Sequence, residues 1–160
     1  MTLKRSRVLP VLALLLLALA PAWAATSPPF ELQASSAQTA TGNGGGIAVA
    51  GVNEILVFFD CTASSGTGET LDVLLQSSSD GGTSWFDLAS DQAIATDGDG
   101  TETAATTNDR DFIDLAADVA CSGVRAVARY RNFGSLVRVR WFIAGTTPSY
   151  TFSVKAIGKN

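Results

Sequence analysis

LVRVRWFIAG at residues 136–145 and SYTFSVKA at 149–156 both alternate oily and polar side chains with a period of two. In an extended chain, successive side chains point to opposite faces. Val137, Val139, Trp141 and Ile143 therefore share one face, and Arg138 and Arg140 share the other. The second run repeats the device, with Tyr150, Phe152, Val154 and Ala156 set against Thr151, Ser153 and Lys155. Two such runs, separated by a glycine, threonines and a proline, read as two half-buried antiparallel strands.

Moving outward from that pair, more strands follow. EILVFFDCT at 54–62 places Ile55, Val57, Phe59 and Cys61 on one face; Leu56 and Phe58 on the other make a central strand covered on both sides the expected reading. TLDVLLQS at 70–77 sets Leu71, Val73 and Leu75 against Asp72, Leu74 and Gln76, a half-buried pattern. Shorter strand signals stand at 29–35, 45–51, 84–89, 91–96, 101–106 and 111–116, divided by turn residues. The expected fold is all-β: an antiparallel β-sandwich, jelly-roll or immunoglobulin-like, of about 8–10 strands. Residues 122–134, SGVRAVARYRNFG, fit two patterns. Alternation favours a strand ending in the turn RNFGS, whereas Ser122 as a cap and Gly134 as a stop allow one short helix near 116–131.

The first 24 residues set the compartment. Lys4, Arg5 and Arg7, an apolar run, and Ala22-Trp23-Ala24 are the parts of a secretory signal peptide cut after Ala24. A membrane anchor would need roughly 20 apolar residues, and this run is closed by Pro21. Residues 25–160 are then a single domain, secreted or periplasmic, with no membrane span after cleavage. The net charge of −4 becomes more negative once the leader goes, which opposes binding to nucleic acid. Cys61 and Cys121 are the only cysteines, and in an oxidising compartment they read as one structural disulfide.

Catalysis has few resources here. The chain contains no histidine, which removes the Ser-His-Asp triad, the Cys-His pair and histidine-bearing zinc sites. A hydrolase using two carboxylates is the enzymatic reading that survives, and a non-enzymatic protein is expected. Asp97, Asp99 and Glu102 lie close together in an acidic stretch. An EF-hand loop would need Gly at Glu102 and Glu at Asn108, so no cofactor is expected, with calcium as the alternative to test.

SSSDGGTSW at 77–85 carries Ser78, Asp80, Gly82 and Trp85 at the spacing S-x-D-x-G-x-x-W, which resembles the Asp-box hairpin of sialidases and other secreted proteins. The resemblance implies a turn held by Asp, Gly and Trp, with no part in chemistry. TLDVLLQSSSDGGTSWFDLAS at 70–90 and SLVRVRWFIAGTTPSYTFSVKAIGK at 135–159 together resemble a group of small β-sandwich proteins encoded by bacteriophages and prophages. The usual runs there are LDV-LQ-S-DGGTTW-DL and VRVRW-I-GT-PSFTFSV-A-GK, and the likeness covers roughly residues 55–160. It implies a virion-surface, decoration or tail-associated structural role without catalysis.

Two kinds of partner follow. Arg125, Arg129, Arg131, Arg138 and Arg140 would form a basic stripe on one outer surface, opposed to carboxylates between Asp91 and Asp118, which suits self-association or a protein surface. Ordinary solubilising decoration of a sheet face explains the same arginines equally well. A carbohydrate-binding module is the other class, with Phe58, Trp85 and Phe142 as candidate stacking rings.

Overall fold

The computed structural model describes residues 29–89, 92–95, 111–115, 117 and 119–160. The expected signal peptide lies outside the described residues. Nine strands are present among them: β1 (Phe30–Gln38), β2 (Gly42–Asn43), β3 (Ile47–Ala48), β4 (Glu54–Ser78), β5 (Phe86–Asp87), β6 (Gln92–Ala95), β7 (Asp111–Leu115), β8 (Val124–Tyr130) and β9 (Leu136–Lys159). All pairings are antiparallel. No helix of the described residues is long and apolar enough to cross a membrane.

The sequence divides 54–62 from 70–77, and 136–145 from 149–156, at stretches of small polar residues and glycine. The structure joins each pair into one long strand. β4 and β9 stay in antiparallel register from Glu54↔Lys159 through to Ser78↔Leu136, with irregularities between Cys61 and Thr70. That irregular stretch is a corner. In a straight strand, residues 141 and 152 would stand about 36 Å apart. Their rings instead meet edge to face, with centroids 5.6 Å apart.

Both strands therefore fold over together, and one hydrogen-bonded sheet supplies two facing layers. The first layer runs β6, β8, the start of β4, the end of β9, and β1. The second runs from β5 and β7 through the end of β4 and the start of β9 to β2 and β3. The corner depends on glycine. Gly145 has φ +115°, and a Cβ there would stand 2.7 Å from the Glu69 Cα, so only a residue without a side chain lets the two backbones pass.

The core lies between the layers. From β4 it takes Ile55, Val57, Phe59, Cys61, Leu71, Val73 and Leu75; β9 adds Val137, Val139, Trp141, Tyr150, Phe152, Val154 and Ala156, all buried as the alternation requires. Ile143, expected inward, is only partly buried against this core. Phe59 lies 5.6 Å from Phe152 in the same layer. Cys61 and Cys121 form the expected disulfide, with their Cα atoms 5.6 Å apart, and Cys121 donates its backbone N–H to the Ser64 hydroxyl.

The short helix near 116–131 is not formed. Val124–Tyr130 is strand β8, with Val124, Ala126, Ala128 and Tyr130 buried. The reason is tertiary. β8 pairs residue by residue with 55–61 of β4 on one side and with β6 on the other, whereas a helix would leave that edge of β4 unpaired. Asn132 turns the chain towards β9 with φ +57°, a conformation that Asn adopts more readily than most residues.

Candidate interaction surfaces

Because the two layers share one core, their outer faces look in opposite directions. The expected single basic stripe is therefore split. Arg125, Arg129 and Arg131 belong to β8 and the turn after it, on the first layer, while Arg138 and Arg140 lie on the second. Alternation shows that all five point outward, but not that β8 and the start of β9 belong to opposite layers.

The outer face of the first layer is read in rows across β8, β4 and β9. Arg125, Asp60 and Ser153 form one row; Val127, Phe58 and Lys155 the next; Arg129, Leu56 and Ile157 the third. Arg131, Glu54 and Lys159 close the end. Arg125 donates from Nε to Asp60 at 3.2 Å, an exposed pair worth at most about 1 kcal/mol. Glu54 accepts from Arg131 at 2.6 Å and pairs with Lys159 at 3.3 Å. The Arg131 hydrogen bond, with help from Lys159 and against partial desolvation, holds the Glu54 carboxyl below its usual range. A shallow depression of about 420 Å³ lies here, lined by Asn53, Glu54, Arg131, Lys159 and Asn160. Phe58, expected to be covered, is 36% exposed in the middle of the face, with Leu56 half-buried beside it.

On the second layer, arginines lie over rings. Arg138 stacks 4.2 Å above Trp85 and donates to Gln76, which in turn donates to Asp87. Gln76 is buried, so that chain satisfies a polar group on the outward face. Arg140 lies 4.5 Å over Phe142. Next to Phe142 stands Asp72, directly opposite Asp114 of β7. Asp114 is exposed on this outer face.

Ser78, Asp80, Gly82 and Trp85 come together at the turn between β4 and β5. The Ser78 hydroxyl donates to Asp80 at 2.8 Å and accepts from the Gly82 N–H at 2.9 Å. Asp80 also accepts from the Ser84 N–H, and the Trp85 indole donates to the Gly82 carbonyl. Gly81 and Gly82 supply the positive φ of the turn, at 72° and 92°. The side-chain hydrogen bonds of Ser78, Asp80 and Trp85 end within the loop, while the Ser78 carbonyl accepts from the Ser135 hydroxyl and Arg138 stacks on Trp85, so the turn holds its own shape and is joined to β9 at its edge.

The Ser84 backbone bond, then the Ser78 hydroxyl, hold the Asp80 carboxyl at about 2 against 3.8 for the free group. A depressed pKa contributes stability that is fully present above the unfolded value and is lost as pH falls through the folded one. Asp80→Asn should therefore flatten the loss of stability between pH 3.8 and about 2, read by urea titration across that range. An unchanged acid limb would show that the bonds to the Asp80 carboxylate do not stabilise the fold.

Asp97, Asp99 and Glu102 lie outside the described residues. Among the described residues, no group of three or more His, Cys, Asp or Glu side chains is placed to hold a metal ion. No family model matches the chain, and no curated protein matches it in sequence. Among solved structures it is similar to the SPBc2 prophage-derived protein YomS, with 13% identity over 89% of this chain and 99% of that one and a TM-score of 0.48.

Proposed function

We propose that the chain is a secreted or periplasmic, non-enzymatic all-β subunit that works by surface association, as a structural or assembly component. The observation that carries this reading is the unlike charge of the outer faces among the described side chains. There, Arg125, Arg129, Arg131, Lys155 and Lys159 on the first layer outnumber Glu31, Glu54 and Asp60, and Asp72, Asp87 and Asp114 on the second outnumber Arg138 and Arg140. A body of this kind, stiffened by a disulfide and by strands shared between layers, presents unlike surfaces in opposite directions. The motif resemblance to phage-type structural proteins supports the same role.

A carbohydrate-binding module is less well served. Two of its three candidate rings, Trp85 and Phe142, already carry an arginine, which leaves Phe58. Attraction between exposed charges reaches about 30 Å at 0.01 M salt but only about 3 Å at 1 M. In sedimentation velocity the protein should form species larger than a monomer at the lower salt concentration and revert to monomer at the higher. A monomer at both would sink the self-association reading.

A further inference from the structure

We infer that the ribbon made by β1, β2 and β3 is exchanged between copies of this chain, so that in the assembled form residues 30–48 of one copy lie along β9 of another. The ribbon has a single pairing partner: each of its strands pairs with β9 and with no other strand among the described residues. Within residues 30–48 only Leu32 is buried. No ion pair or disulfide among the described residues ties the ribbon to the rest. β4, β7, β8 and β9 meanwhile share a core of their own and the Cys61–Cys121 bridge, so the ribbon can leave while that core stays in place.

What the ribbon leaves behind has to be covered again. Without it β9 bares a row of backbone N–H and C=O groups along one edge, a template for a strand from another chain. The fit is particular to this ribbon. The Trp141 indole donates to the Ala40 carbonyl at 3.0 Å, the Gly44 N–H to the Val139 carbonyl at 2.9 Å, and the Ile143 N–H to the Thr41 hydroxyl at 3.1 Å. Gly42 lies against Trp141, where a Cβ would stand 2.8 Å from the ring. A second copy offers the same partners, so exchange loses none of these contacts and needs only the link to β4 to open.

That link is a tight turn. The Val52 N–H donates to the Val49 carbonyl at 3.1 Å, and Gly51 between them has φ +79°, with no atom within 4 Å of where its Cβ would be. Residues 50–53 drawn out reach about 13 Å, enough to hand the ribbon to a neighbour. The ribbon and β9 are also the first and last strands described, so joining them within one copy closes a long loop, and a neighbour's β9 competes at high protein concentration. Backbone bonds and buried side chains hold the exchanged form, which takes it beyond association through charged faces: salt does not weaken it. It forms when chains fold together, since a folded monomer must first open its turn.

Single cysteines on separate chains test the exchange. Ala37 and Thr151 stand opposite each other across β1 and β9. Chains carrying Ala37→Cys and chains carrying Thr151→Cys are unfolded together in acidic urea, which spares the native bridge by keeping thiols protonated, and refolded at high concentration with oxidised glutathione. Exchange should give the covalent heterodimer in roughly tenfold excess over either homodimer, because the two thiols are held side by side. The excess should be equal at low and high salt, with circular dichroism like the parent's. Ala48→Cys, whose neighbour is Leu136 at the other end of β9, should show no such excess in place of Ala37→Cys. Adding Gly51→Val to both chains penalises the positive φ of the closed turn and should raise the heterodimer yield. No heterodimer excess, an equal excess with Ala48→Cys, or a yield that Gly51→Val leaves unmoved overturns exchange and leaves association through the charged faces standing. A heterodimer excess from a parent that is isolated as a monomer at both salts does the reverse.

Discussion

Phe152→Ala should lower stability by about 3–5 kcal/mol, the cost of removing a large fully buried ring together with the cavity it leaves. It should do so in one transition that takes both layers. Phe152 is fully buried in the first layer, yet it touches Phe59 beside it and Trp141 across the fold, so its removal opens the seam between layers. For a domain of this size each kcal/mol shifts the melting temperature by roughly 3–4 °C, so a fall of at least about 10 °C is expected. Urea titration followed by both tryptophan fluorescence and far-ultraviolet circular dichroism measures the loss. Two separated transitions, or a loss below about 1.5 kcal/mol, would mean that the layers do not share a core as described.

Replacing both cysteines, Cys61→Ala with Cys121→Ala, should cost about 4 kcal/mol, because the bridge closes a loop whose ends lie 60 residues apart in sequence. The effect resides mainly in the unfolded chain, which without the bridge gains the freedom of that loop. It also bears on the fold. Cys61 stands where β4 enters its corner, and Cys121 where the chain enters β8, with the Gly123 N–H donating to the Cys61 carbonyl beside the bridge. Denaturation with and without a thiol reductant gives the comparison, and equal midpoints would remove the bridge from the account of stability.

What could be read from the sequence was whatever depends on neighbours along the chain. Alternation in β8 and β9 assigned Val124, Ala126, Ala128, Tyr130, Phe152 and Val154 to the buried face, and in each case the pleat does the work. The turn at 78–85 was readable for the same reason, since Ser78 and Asp80 bond their own loop.

What could not be read depends on chain segments distant in sequence. TASSGTGET and AGTTPS have the composition of turns, yet they are two corners that bend together, each made possible by the other's backbone. The split of the arginines follows from that corner, because it decides which layer each outward residue joins. Gln76 is polar on an outward face but buried, since Arg138 and Asp87 supply its bonds. Phe58 reads as covered because it lies in an oily run, although no described strand packs over its face.

The central place of β9 in both layers governs when this protein can form at all. A growing polypeptide that has emerged as far as β8 holds β1, β2 and β3 with nothing to pair against, and β4 with one side open along its whole length. Neither layer can close before β9 has been synthesised. Completion of both layers is therefore postponed to that moment.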